Sequence, residues 1–188
     1  MDTFTEAKPF QPHADYAADR KRTLRELERE ITHGSIDLPL LPMIRECMQI
    51  PHCFTVQCCC GHFVHDLEPD PENLSRPSHY AGTAESLRYR VAYLAVCIRD
   101  DKRGRELFAD LQALAKQEPG YIQFGSADWF WNRMVNTYCI QLEPERMKDL
   151  DSGMVSLREA RTLEKIRTVF FDSLAGIIRK HRSLLPEV

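Results

Sequence analysis

Tyr89-Arg90-Val91-Ala92-Tyr93-Leu94-Ala95-Val96-Cys97-Ile98 is an unbroken run rich in aliphatic, aromatic and β-branched side chains. It reads as a strand. The next segment is helical: Asp100 or Asp101 can cap a helix whose Leu107, Leu111 and Leu114 form an apolar stripe. Pro119-Gly120 makes a turn. Tyr121 to Phe124 and Asn136 to Leu142 then read as strands, separated by the aromatic segment Trp129-Phe130-Trp131. Ser156-x-x-Glu159 has the form of a capping box. It marks a long amphipathic C-terminal helix over 152–185, with Leu163, Ile166, Phe170, Leu174, Ile177 and Ile178 inward.

Toward the N-terminus, Leu24, Leu27 and Ile31 share one face of a helix over Asp15–His33, and Gly34 suits its C-terminus. Asp37 can cap a second, apolar helix over Leu40–Ile50, in which Pro39 and Pro42 fit only near the first turn. Phe54-Thr55-Val56 and His62 to Leu67 read as short strands flanking a turn at Cys58-Cys59-Cys60-Gly61. Residues 1–14, with Pro9 and Pro12, read as a loose arm, and 68–82 as a Pro-rich surface loop. Strands and helices are interspersed without a regular βαβ series. The expectation is one α+β domain over 1–188, a mixed or antiparallel sheet covered by helices.

Composition narrows function by exclusion. Hydrophobic residues at 43% and charged residues at 28% fit a soluble globular chain. No run approaches the ~18–20 apolar residues of a membrane span. Met1-Asp2-Thr3-Phe4-Thr5-Glu6 lacks a basic-then-apolar leader, so a cytoplasmic protein is expected. A net charge of −3 supplies no global field for nucleic acid. Phosphate contacts would need a local patch, for which Arg20, Lys21, Arg22, Lys102, Arg103 and Arg105 are the candidates. The eight glycines match neither a dinucleotide fingerprint nor a phosphate loop, which argues against a conventional Rossmann or Walker site. No nucleophile elbow or H-E-x-x-H zinc motif occurs either.

What remains is a thiol and imidazole cluster. Five of the seven cysteines fall between Cys47 and Cys60, with His52 among them and His62 and His65 just beyond. An odd, clustered set is not a disulfide framework and fits a reducing compartment. Cys97 and Cys139, inside apolar runs, read as small core residues. A metal set could draw on Cys53, Cys58, Cys60, His62 and His65, which makes a metal- or redox-sensing protein the alternative function. Adjacent cysteines on an extended chain point to opposite faces, however. Less than one tightly bound zinc or iron per chain is therefore expected. Trp129-Phe130-Trp131 could stack a base, although at least one member is expected in the core. The stripe of the C-terminal helix reads as core, with a homodimer interface as the lesser reading.

Gly34-Ser35-Ile36-Asp37, the Leu40–Ile50 helix and Phe54-Thr55-Val56-Gln57-Cys58-Cys59-Cys60-Gly61-His62 together resemble the tRNA wybutosine-synthesizing protein 3 family. That family shows a Gly-x-Val-Asp helix start, a Tyr/Phe-Thr-Thr pair and a Ser-Ser-Cys-Ser-Gly-Arg turn. On this match Cys59 is the family cysteine and Gly61 the family glycine. Cys58 and Cys60 stand where serines are usual, and His62 replaces arginine. Motif agreement spans Leu24 to Phe63, with a weaker echo of element order to Leu142. The resemblance implies an S-adenosylmethionine-dependent N-methyltransferase of non-Rossmann α+β fold, acting on a wyosine-type base of tRNA. It implies a cofactor site at Thr55, Gln57, Cys58, Cys59, Cys60, Gly61 and His62, with Gly61 admitting the ligand close to the backbone. A module of the same fold that binds without catalysis is the further alternative.

Overall fold

A computed structural model describes residues 4–65, 70, 73–148 and 150–184. In chain order the elements are β1 (Phe4–Thr5), α1 (Tyr16–His33), α2 (Leu41–Cys47), β2 (Cys53–Cys59), β3 (His62–Val64), β4 (Ser86–Arg90), β5 (Ala92–Ile98), α3 (Lys102–Ala115), β6 (Ile122–Ala127), α4 (Asp128–Arg133), β7 (Thr137–Leu142), β8 (Ser152–Ser156) and α5 (Leu157–Ser183). The chain is an α+β protein with antiparallel sheets. One sheet has the order β1-β6-β7-β5-β2 and the other β3-β4-β8. No helix among the described residues is long and apolar enough to cross a membrane.

Alternation along the strands sorts the two faces of the larger sheet. Leu94, Val96 and Ile98 of β5 and Ile140 and Leu142 of β7 join the main core, with Leu107 and Leu111 of α3 and Leu163, Phe170 and Leu174 of α5. The opposite face carries Ala95, Cys139 and Tyr93, with Phe4, Ala127 and Phe130 around them in a smaller cluster. That thinly covered face leaves room for clefts.

The run Tyr89–Ile98 is two strands, not one. It breaks at Val91, whose N–H donates to the Asp151 carbonyl (3.0 Å), and β4 and β5 belong to different sheets. Its partner breaks opposite, at Cys60-Gly61. The register nevertheless runs on across the break, from Cys59 opposite Tyr93 to His62 opposite Arg90. One antiparallel ribbon therefore bends at a corner and contributes to both sheets. Gly61, at φ 79°, supplies the positive φ on the inner strand.

Four further expectations change. The arm over 1–14 is not loose where it is described: Phe4 and Thr5 pair with β6, and Gln11 exchanges two 2.8 Å hydrogen bonds with the buried side chain of Asn136. Residues 152–156 of the expected C-terminal helix are strand β8, paired with β4. Ser156 still caps α5, its Oγ accepting from the Glu159 N–H (3.2 Å), and residue 185 lies outside the described residues. Trp129-Phe130-Trp131 lies on the short helix α4, with Phe130 and Trp131 buried and Trp129 48% exposed. Strand β3 ends at Val64; 66 and 67 lie outside the described residues, as do 68, 69, 71 and 72 of the Pro-rich loop, within which Pro77–Tyr80 forms a 3₁₀ turn.

Candidate functional site

Helix α1 ends at Gly34 in the left-handed conformation (φ 73°), which turns Ser35, Ile36 and Asp37 back toward β2. Asp37 does not cap the next helix. Its Oδ2 instead accepts from the Cys60 backbone N–H at 2.7 Å, and its Oδ1 stands 3.6 Å from His62 Nε2. One carboxylate thus fastens the α1–α2 connection to the corner of the bent ribbon. The neighbouring Nδ1–H of His62 donates to the Asn73 carbonyl (3.0 Å), so the doubly protonated ring has an acceptor or a counter-charge at each nitrogen.

Electrostatics follow from that geometry. The Asp37 carboxylate is the largest influence on His62 and, with Cys59, outweighs burial to raise the imidazole to about 10. Burial pushes Asp37 upward, but the facing His62 ring and the hydrogen bond from the Cys60 amide outweigh it and leave the carboxyl at about 2. His62 therefore carries a positive charge at neutral pH, as an arginine would. Burial, reinforced by the Asp37 charge, pushes the Cys58 thiol to about 12 and the Cys60 thiol higher still. Both stay protonated and offer weak hydrogen bonds rather than nucleophilic sulfur. On the far side of the corner, Arg167 of α5 donates to the Gly61 carbonyl at 2.6 Å and lies over the Phe63 ring at 5.1 Å.

A cleft of about 430 Å³ opens here, its walls including Glu26 and Glu30 of α1, Ser35, Asp37, Thr55, Gln57, Cys58, Cys59 and His62. A second, of about 620 Å³, adjoins it over the thinly covered sheet face and is lined by Trp129, Phe130 and Gln141 among others. Gln57, Arg90 and Tyr93 line both. Of the residues expected at a cofactor site, Thr55, Gln57, Cys58, Cys59 and His62 line the smaller cleft. Cys60 and Gly61 do not: Cys60 is buried in the main core, and a Cβ on Gly61 would meet Ala92. The glycine shapes the corner rather than opening the backbone to a ligand.

The alternative metal set is not assembled. Cys53 contacts Cys47, and the His65 ring stacks near Tyr80. Among the described residues, Asp37, Cys60 and His62 bring one ligand atom each within 4.8 Å of one another. Two of the three already form the ion pair, and burial resists ionisation of the third. Elemental analysis of the purified protein is expected to find less than one zinc or iron per chain. A stoichiometric metal that disappears in Cys60→Ser would reverse that expectation.

The basic candidates do not form one patch. Helix α1 packs on β2, whereas α3 packs on α5, β6 and β5. Arg20 is turned inward to the Met48 and Ile50 carbonyls. Arg22 pairs with Asp19, Arg103 with Glu106 and Arg105 with Asp100, while Lys21 and Lys102 lie exposed on their separate helices. Sequence reasoning missed Glu26, Glu30, Arg90, Tyr93 and Arg167. The i,i+4 pair of glutamates on α1 was the one local signal that pointed to any of them.

No known protein-family profile matches the sequence, and no curated protein sequence matches it. Solved structures do resemble the fold. The PH1069 protein from Pyrococcus horikoshii aligns in one structure with a TM-score of 0.49 at 13% identity, covering 90% of this chain and 93% of that one. In another, from Pyrococcus horikoshii OT3, the TM-score is 0.50 at 10% identity, with 91% and 93% covered. A hypothetical protein from Aeropyrum pernix aligns at 0.41 and 10% identity over 79% of this chain and 99% of that one. At these identities the likeness concerns the fold alone.

Proposed function

We propose that this chain is an S-adenosylmethionine-dependent methyltransferase whose acceptor is a nitrogen of a modified, wyosine-type tRNA base. One observation carries the reading. Ser35–Asp37 and, from beyond α2 in sequence, Thr55–Cys59 with His62 meet at a single cleft, and the Asp37 carboxylate ties the two segments together. The residues present suit the ligand. Its sulfonium and α-ammonium groups are cationic, and Glu26, Glu30 and Asp37 put three carboxylates in the cleft walls. The cleft volume lies within the usual range for small-ligand sites, ~300–1,000 Å³.

When bound, S-adenosylmethionine supplies an electrophilic methyl group on sulfur. The chain's contribution is alignment and exclusion of water. Asp37, held near 2 and engaged by His62 and the Cys60 amide, positions the corner and does not take a proton at neutral pH. Gln57, Arg90 and Tyr93 stand where the two clefts join, the place for an acceptor ring entering from the larger one. Trp129, exposed with the Arg133 guanidinium 3.5 Å from its ring centroid, offers that ring a stacking surface at the entrance. All seven cysteines are free, in keeping with a cytoplasmic setting.

Calorimetric titration with S-adenosylmethionine and with its demethylated product tests the cofactor. Both are expected to bind wild type, and Gln57→Ala is expected to weaken both without lowering thermal stability. Transfer of labelled methyl from S-adenosylmethionine into unfractionated tRNA tests the acceptor. No heat from either compound at millimolar concentration sinks the cofactor reading; binding without transfer to tRNA sinks the acceptor and leaves a binding module.

A further inference from the structure

Cys47 closes α2 and Cys53 opens β2, and their sulfurs lie 3.8 Å apart with both side chains fully buried. The turn between them is clamped from outside. Arg20 of α1 donates through Nη2 to the carbonyls of Met48 (2.8 Å) and Ile50 (3.0 Å), both within that turn. Its guanidinium also sets positive charge near the two sulfurs. Cys47 Sγ accepts a hydrogen bond from the Thr55 hydroxyl at 3.5 Å. The contact with Cys53, helped by the Thr55 hydroxyl, holds Cys47 below the ordinary thiol range against burial, while the same contact and burial push Cys53 up. The two sulfurs are thus differentiated, as an attacking and a resolving thiol must be. No other described thiol pair combines such contact with a hydroxyl donor and a nearby guanidinium.

We propose that Cys47 and Cys53 are a thiol-oxidation site that closes to a reversible disulfide under a peroxide. Cys47, as thiolate, attacks one oxygen of hydrogen peroxide. The O–O bond breaks, Cys47 becomes a sulfenic acid, and the departing hydroxide takes the proton that Cys47 gave up, leaving as water. Cys53 then attacks the sulfenic sulfur. The S–S bond forms, and the sulfenic hydroxyl leaves with the Cys53 proton as a second water. Two thiols lose two electrons in total and one peroxide is reduced to two waters. The sulfurs must approach to about 2.05 Å. Oxidant reaches them when the turn opens, so closure is slow in the resting protein. The bond would join α2 covalently to β2 and take the Cys47 acceptor from Thr55, a residue of the smaller cleft. This inference does not depend on what the cleft binds.

The experiment uses the full chain, treated with hydrogen peroxide, alkylated and digested with pepsin at acid pH. Mass spectrometry is expected to find the segment spanning Cys47 and Cys53 lighter by two hydrogens and inert to alkylation until reduced. Reduction should restore all seven titratable thiols. In Cys53→Ser the link should vanish, and a sulfenic acid should be trapped at Cys47 by a dimedone reagent. If that variant fails to fold, the wild-type mapping still decides. Full alkylation of Cys47 and Cys53 after peroxide, or thiol loss mapping instead to Cys58–Cys60, would overturn the proposal.

Discussion

Replacing Asp37 by alanine is expected to lower unfolding free energy by about 3 kcal/mol and ligand affinity in the cleft by more than ten-fold. The stability loss has two parts. The Cys60 N–H, bound at 2.7 Å, loses its acceptor beside a buried side chain, which costs roughly 1–3 kcal/mol. The buried His62 ring loses its counter-charge. The Asp37 side chain is 20% exposed, so this second part lies between the surface-pair and buried-pair limits, about 1–2 kcal/mol. Affinity falls because Asp37 joins two walls of the cleft, and a loss of about 1.4 kcal/mol in binding is already ten-fold. Asp37→Asn separates the parts, since its amide oxygen still accepts from Cys60 while the charge is gone. About half of the lost stability should return.

The same pair dictates a pH dependence. His62 is raised in the folded state to about 10 from ~6.5, so its contribution is complete below about pH 6.5 and is lost as pH rises through about 10. Asp37 is lowered to about 2 from ~3.9, so its contribution is present above about pH 4 and is lost as pH falls through about 2. Stability from this interaction is therefore greatest between about pH 4 and 6.5. Denaturant unfolding at pH 6 and pH 9 should show wild type losing stability more steeply than Asp37→Asn. Parallel slopes would mean that the ion pair contributes nothing.

What the sequence made legible was local. Gly34 announced the end of α1, Ser156 the start of α5, and Asp101 caps α3 through the Gly104 N–H. Each signal lies within a turn of the structure it specifies. Asp37 misled because an aspartate before an apolar helix looks like a cap, whereas its partner is an amide 23 residues away. The run Tyr89–Ile98 carries no mark of its break. The bend depends on Gly61 in the partner strand and on the Asp151 carbonyl that takes the Val91 N–H. The opening arm read as loose because its anchor, Asn136, is distant in sequence. The cleft was half legible, in that the Ser35–Asp37 and Thr55–His62 segments could be picked out. The shared wall from Arg90 and Tyr93 could not, because it exists only once β4 and β5 separate. Arg167 was hidden for a related reason. It is one of several basic residues on α5, and its use at the Gly61 carbonyl depends on how that helix crosses the corner.

Gly61→Ala is expected to cost about 3 kcal/mol, and the reasons can be taken apart. The residue sits at φ 79°, where an L side chain costs roughly 1–2 kcal/mol. An added Cβ would also lie 2.8 Å from the Ala92 Cβ and 3.2 Å from its Cα and N, an overpacking worth about 1–3 kcal/mol. Gly34 isolates the first cost: its φ is 73° and nothing lies within 4 Å of its Cβ position, so Gly34→Ala should lose only about 1 kcal/mol. Ala92→Gly isolates the second by removing the nearest atom. The double variant Gly61→Ala with Ala92→Gly should lose about 1 kcal/mol less than the two single losses added together. It should not recover fully, because the backbone contacts and the positive φ persist. Strict additivity in denaturant unfolding would show that the corner yields elsewhere and that Ala92 is not the obstacle. The glycine's influence on the cleft comes through its anchors. Its N–H donates to Cys59 Sγ at 3.4 Å and its carbonyl accepts from Arg167. A displaced corner carries Cys59 and His62 with it, so any affinity lost in Gly61→Ala should return in the double variant in step with stability.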